Sequence, residues 1–384
     1  MIHPLRPLFF ASFFFSFHVA LLSYLNSSAL DRHASDVGVT LAYTIASALS
    51  LVFIFLAPLV IGRLGASRSL ALGLALSVGL LSVLGILAEQ TSFVGAFILY
   101  FSLNSVIWYA FDLCIEHYSR VHNTGNIRGT YLTLNNAGWV IAPIVASAAA
   151  LRFGYTGTYL IASGAVLLSL LVIIATHRIK EHTHAPKLHL HQAFAELVRH
   201  PEARRLVSLY FILQFFFAWM VIYMTPYLMT LGFGLKTIGM ILSVMLLPFV
   251  LFQYPIGKLA DRYRNERSLI ILGFCIMGFA TLLLALPDSF VYERTAVFFA
   301  IILFLTRVGA SIIEVGVESK FFKVVTTKDT ALISTLRMTM PLAYIIAPMT
   351  GALVFVVGSM QDMFVILGIL CLGAMWYAFR LKVH

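Results

Sequence analysis

Gly257-Lys258-Leu259-Ala260-Asp261-Arg262-Tyr263-Arg264, continuing to Arg267, separates two long apolar runs, about residues 238 to 256 and 268 to 286. A turn that holds an Asp and several Lys and Arg cannot sit in hydrocarbon, where every charge is costly. It belongs at a membrane surface, and its positive charge places it on the cytoplasmic side. The rest of the chain can be laid out symmetrically around this turn.

Composition sets the class. Apolar residues make up 60% of the 384 residues and charged residues only 11%, with a mean hydropathy of +0.94. A soluble domain carries roughly 25% charged residues, so this is a polytopic membrane protein with almost no sequence left over for a soluble domain. The net charge of +10 does not point to nucleic acid. The basic residues sit in short loops between apolar runs, where orientation bias and contact with anionic membrane lipids account for them. Cys114, Cys275 and Cys371 each lie inside an apolar run at unrelated spacings. They read as small core side chains, and neither a disulfide nor a metal cage is expected. Leu8 to Leu25 is too long for a signal-peptide core, so it reads as an uncleaved first membrane helix, although Ser27-Ser28-Ala29 has the look of a cleavage site.

Twelve runs are long enough to span: about 6–29, 37–61, 67–88, 92–118, 128–150, 155–177, 205–230, 236–257, 268–287, 293–318, 330–357 and 362–380. They are expected to be helices, because an open sheet edge has no backbone partners in lipid. One set of ends carries Arg6, Arg63, Arg68, Arg120, Arg128, the basic residues from Arg178 to Arg205, Lys258 to Arg267, Lys320 to Lys328, Arg380 and Lys382. The other ends carry only Arg32, Arg152, Lys236 and Arg294. Both termini are therefore expected in the cytoplasm. The organisation that follows is a first bundle over 1–178, a polar linker over 179–204 and a second bundle over 205–384. In the linker, Leu190, Phe194, Leu197 and Val198 recur at helical spacing, which predicts a short amphipathic helix on the cytoplasmic leaflet.

The two halves repeat one another. Asp112-Leu113-Cys114-Ile115-Glu116 answers Glu314-Val315-Gly316-Val317-Glu318, and Ile141-Ala142-Pro143 answers Ile346-Ala347-Pro348. Tyr24 answers Tyr223, and Val37-Gly38 answers Ile238-Gly239, each about 200 positions on. Gly62-Arg63-Leu64-Gly65 falls where Asp261-Arg262-Tyr263-Arg264 would be expected. Parallel six-helix repeats, a cytoplasmic linker and the Gly-x-Leu-Ala-Asp-Arg turn together resemble the major facilitator superfamily over essentially the whole chain. The resemblance implies an all-α membrane fold of twelve transmembrane helices in two pseudo-symmetric six-helix bundles. It also implies a secondary transporter that works by alternating access, usually as a monomer, with runs one, four, seven and ten lining a central cavity. The family's turn carries an Asp that latches the cytoplasmic side together with the Arg after it. Here the first copy has Gly62 in the Asp position, so the intact latch pair is Asp261 and Arg262.

Ionisable side chains inside the runs are functional candidates by default. Arg307, Ser311, Glu314 and Glu318 lie within about 60° on a helix, forming one polar stripe on run ten. Run four has a similar stripe with Asp112 and Glu116, flanked by Asn104 and Trp108. Two readings of the lower acids stand side by side. In one, Glu116 and Glu318, with Asp112 and Glu314, form gating salt bridges with Arg63, Arg128, Arg262 and Arg337. In the other, the deeper pair Asp112 and Glu314 carries protons, with His18 as a further candidate. His18 also reads as a core histidine. Arg307 is expected near the bilayer centre, where its planar fork suits a carboxylate or phosphate. Ser311, Asn104, Trp108, Asn135 and Gln214 are the remaining candidates for solute contact. The linker histidines His182, His184, His189, His191 and His200 form too weak a pattern to predict a metal site. With no phosphate-binding loop and no catalytic constellation, neither a cofactor nor enzymatic chemistry is expected. The partner expected is a small-molecule substrate, an anion or, alternatively, an amphipathic or cationic compound expelled against protons. A sensor or scaffold that transports nothing is the reading from another class.

Overall fold

Lipid offers the backbone no hydrogen bonds, so a chain this apolar must satisfy each segment internally as helix. The computed structural model describes residues 5–116, 124–176, 190–253, 255–257, 260, 265–285, 295–325 and 330–382. None of these forms a strand. The helices are α1 (Leu5–Ser23), α2 (Asn26–Leu30), α3 (Asp36–Leu64), α4 (Ala66–Ile86), α5 (Phe93–Glu116), α6 (Thr124–Ala175) and α7 (Leu190–Arg199). They continue as α8 (Pro201–Thr230), α9 (Leu235–Leu251), α10 (Glu266–Leu284), α11 (Ala296–Val324), α12 (Thr330–Val357) and α13 (Met360–Ala378).

Local chemistry marks the ends. Ser35, Asn265 and Thr295 each accept a hydrogen bond from the backbone N–H three residues on, capping α3, α10 and α11. Ser359 and Asp362 cap α13 reciprocally, and Pro201 opens α8, where its missing N–H costs nothing. Two boundaries differ from the apolar pattern. The first run breaks after Ser23, and the short α2 beyond it is tied to α6 by the Tyr159 hydroxyl, which donates to Asn26 Oδ1 at 2.7 Å. Runs five and six join into α6, interrupted at Gly154, whose φ of 66° and ψ of −171° leave the helical region and suit a residue without Cβ. Eleven helices among the described residues are long and apolar enough to cross a membrane. With the two arms of α6 counted apart they become twelve.

The chain divides into two compact units, Met1–Lys187 with Gly234–Gly239, and Leu188–Phe233 with Met240–His384. Their internal pairings repeat: α1 packs on α6 in unit 1 as α8 packs on α12 in unit 2. Likewise α4 packs on α5 and α6 as α10 packs on α11 and α13. Helices in lipid gain little from hydrophobic burial against each other, so small residues and hydrogen bonds must hold them. In unit 1, Ser102 Oγ donates to Ala46 O at 2.9 Å, Ser169 Oγ to Ala11 O at 2.8 Å and Ser163 Oγ to Val78 O at 3.1 Å. In unit 2, Trp219 Nε1 donates to Ala347 O at 2.7 Å, binding α8 to α12.

The backbones of α10 and α11 approach closely at Gly273 and Gly309, where a methyl on Gly309 would lie 2.5 Å from Gly273 O. Gly79 on α4 has open space around it. Gly309→Ala should therefore lower stability by about 1–3 kcal/mol through overpacking. Gly79→Ala should leave it unchanged or raise it by up to about 1 kcal/mol. Thermal unfolding of the detergent-solubilised protein distinguishes the two, and equal effects would contradict the packing described.

Candidate functional site

The polar stripe of α11 turns toward α8 and the end of α9, inside unit 2. Arg307 stands near the middle of its apolar stretch, Ala296–Phe321, and is 1% exposed. Its guanidinium carbon lies 5.4 Å from the ring centre of Phe216 and 5.0 Å from that of Phe217, both on α8. A cation over ring faces gains about 0.5–2 kcal/mol, more as water is excluded. One turn along, Ser311 is fully buried and its hydroxyl donates to Val308 O at 2.9 Å. Glu314 accepts from Gln253 Nε2 at 2.8 Å, and Glu318 accepts from the Tyr210 hydroxyl at 3.2 Å. Glu314 is within electrostatic range of both Arg307 and Glu318. Gln214, a turn before its neighbours on α8, is buried as well.

Unit 1 gathers a different set. His18 is completely buried in α1, with Nδ1 against the carbonyl of Phe15 and the ring 4.7 Å from that of Phe15 and 6.0 Å from that of Tyr100. Trp108 of α5 meets Phe15 at 5.0 Å. Asn104 and Asp112 are half-buried on the same helix, while Asn135 of α6 is buried. The carbonyl of Asn135 accepts from Ser16 Oγ at 3.2 Å. Arg63 is exposed in the last turn of α3. Asp261 and Arg262, the side chains of Glu116, Arg128 and Arg337, and the linker residues His182, His184 and His189 lie outside the described residues. Among the described residues no group of His, Cys, Asp and Glu is arranged to hold a metal ion.

The sequence matches the family model of the Major Facilitator Superfamily over residues 8–236 and 207–384, which is essentially the whole chain. The chain belongs to the major facilitator superfamily. It is accordingly a multi-pass integral membrane protein and a secondary transporter. A search of curated proteins finds no match.

One cluster in this facilitator was not foreseen from sequence. At the Lys/Arg-rich end of unit 2, Glu202 of α8 accepts from Arg205 at 3.3 Å and lies 3.8 Å from Lys320 Nζ of α11. Lys320, 3% exposed, donates to Lys382 O at 2.8 Å, and Lys382 N donates to Glu202 at 3.0 Å. Next to it, Lys323 pairs with the buried Glu266 of α10. The cluster ties the start of α8, the end of α11 and the C-terminal segment together. Tyr210 was equally unassigned, and Phe216 and Phe217 were read as lipid, helix or pocket contacts. Their signal was the dense aromatic run of α8, which periodicity alone could not orient.

Glu202→Gln should destabilise unit 2 by about 1.5–3 kcal/mol, the range for hydrogen bonds to a charged group. Combining it with Lys320→Met, which removes the buried ammonium, should recover part of that loss. Thermal unfolding of the single and double variants measures the coupling, and strict additivity would show that the two groups do not interact.

Proposed function

We propose that this facilitator moves a small organic anion, carrying a carboxylate or a phosphate, across the cytoplasmic membrane by proton-coupled alternating access. The observation that carries this reading is Arg307, buried near mid-span with its guanidinium against Phe216 and Phe217. A guanidinium keeps its charge at any physiological pH. The rings flank a planar fork of donors, the group that engages a carboxylate or phosphate with two parallel bonds. Ser311, one turn away, supplies a hydroxyl, and Gln214 a further amide.

Glu314 is assigned the proton. It shares an electrostatic neighbourhood with Arg307, so solute and proton act on the same pair of residues, which is what coupling between two sites requires. Asp112 is its repeat counterpart. Glu318, Glu116, Arg63, Arg128, Arg337, Asp261 and Arg262 serve the gate at the cytoplasmic end, where ion pairs form and break as the transporter changes state. The Lys and Arg distribution supports an inner-membrane orientation with both termini in the cytoplasm.

A thermal-shift panel of organic anions, cations, sugars and neutral amphiphiles tests the reading, since a ligand that binds the folded state raises the melting temperature. Anions should stabilise the wild type, and Arg307→Gln should bind them about 100-fold more weakly, the scale of a lost bidentate charged pair. Arg307→Lys, with the charge but not the fork, should fall between. Stabilisation of both proteins by cations or amphiphiles instead would contradict the anion reading and favour efflux, with Asp112 and Glu314 attracting the charge. In reconstituted vesicles Glu314→Gln should keep solute exchange and lose the response to a pH gradient. An unchanged pH response would remove Glu314 from the coupling role.

A further inference from the structure

The cations at the Lys/Arg-rich end of unit 2 are of two kinds. Arg205, Lys320 and Lys323 are held by Glu202 and Glu266. Arg267, in the first turn of α10, and Arg380, just past the end of α13, form no ion pair with a described residue and lie against aromatic rings. The guanidinium carbon of Arg267 is 5.8 Å from the ring centre of Phe379. That of Arg380 is 4.9 Å from the ring centre of Trp376 and 5.9 Å from that of Tyr377. Phe379 and Arg380 are neighbours in sequence, so the two arginines meet at one place, where α10 begins and α13 ends. The rings beside them face outward, Trp376 being 63% and Phe379 50% exposed. Below this point α10 and α13 run side by side: a methyl on Gly278 would lie 2.8 Å from Leu372, and one on Gly368 2.6 Å from Leu282. Ile369, Gly373, Trp376 and Arg380 follow at i, i+4, i+7 and i+11 and are all exposed, which makes them one outward stripe. Gly373 has open space around it, a notch between Ile369 and Trp376.

We infer that Arg267 and Arg380 hold the phosphate of an anionic phospholipid, with one acyl chain laid over the Gly373 notch between Trp376 and Ile369. Charge complementarity selects the headgroup: two cations that no described carboxylate neutralises stand at a helix end, the level at which a bilayer presents its anionic phosphates. A guanidinium engages a phosphate through its planar fork, and contact with a ring steadies the plane. Tryptophan beside the pair suits the same depth, where one side of the ring meets hydrocarbon and the other meets headgroups. The apolar stripe selects a lipid over a free phosphate, because it continues from Arg380 into the span and a soluble anion would leave it uncovered. The site lies wholly within unit 2 and shares no residue with the candidate solute site, so it stands apart from the transport reading. A lipid held there would clasp the start of α10 to the end of α13.

Native mass spectrometry of the purified full chain, titrated with phosphatidylglycerol or with phosphatidylcholine of the same acyl chains, tests the site. The wild type should bind its first phosphatidylglycerol about 25-fold more tightly than phosphatidylcholine, about fivefold for each arginine. Arg267→Gln and Arg380→Gln should each lower that preference about fivefold, and the double variant should abolish it. Arg199→Gln, which removes an exposed arginine elsewhere in unit 2, should leave the preference nearly unchanged. Gly373→Leu fills the notch and keeps both arginines, so it should weaken both lipids alike. If one arginine variant does not elute as a monodisperse folded protein, the other decides. No preference in the wild type, or an equal loss in Arg199→Gln, would reduce the effect to diffuse surface charge and overturn the site. Displacement of phosphatidylglycerol by millimolar inorganic phosphate would assign the arginines to a soluble anion and overturn the lipid. Unchanged binding of both lipids to Gly373→Leu would overturn the acyl seat.

Discussion

Hydrocarbon supplies no hydrogen bonds, and every polar group taken into it must find a partner within the protein. That constraint shapes this molecule from the backbone up. It makes each apolar run a helix. It also turns serine hydroxyls and Trp219 toward carbonyls of neighbouring helices. Where backbones approach closely, at Gly273 and Gly309, the absence of a side chain lets the contact form.

The same constraint bears on the charged groups of unit 2. Glu202, Lys320 and Glu266 lie at the edge of unit 2 and are tied to partners that close a helix end. Arg307 lies near the middle of an apolar helix, against phenylalanine rings. In unit 1 the buried polar groups include His18, among aromatic rings, and Asn135.

Much of this was legible in the sequence, for a physical reason. Span length and Lys/Arg placement are one-dimensional signals, so helix positions, the internal repeat and the family followed from reading along the chain. Helical angle is one-dimensional too, which is why Arg307, Ser311, Glu314 and Glu318 could be put on one face. What that face would meet was hidden. Tyr210 reaches Glu318 across 108 positions and Lys382 reaches Glu202 across 180, and no periodicity encodes such pairs. The contiguous Phe215-Phe216-Phe217 block points in all directions until α11 is placed beside it. The break at Gly154 was read as a gap between two runs, whereas the helix resumes immediately because only one residue leaves the helical region.

Coupled anion transport is tested most directly by flux into sealed vesicles. Purified protein reconstituted into liposomes would be given radiolabelled malate or glycerol 3-phosphate under an imposed pH gradient, with protein-free liposomes and a protonophore as controls. The wild type should concentrate at least one of these anions under one sign of the gradient and lose that accumulation when the protonophore collapses it. Labelled anion that enters no faster than in protein-free liposomes, or that equilibrates identically with and without the gradient, would contradict proton-coupled anion transport.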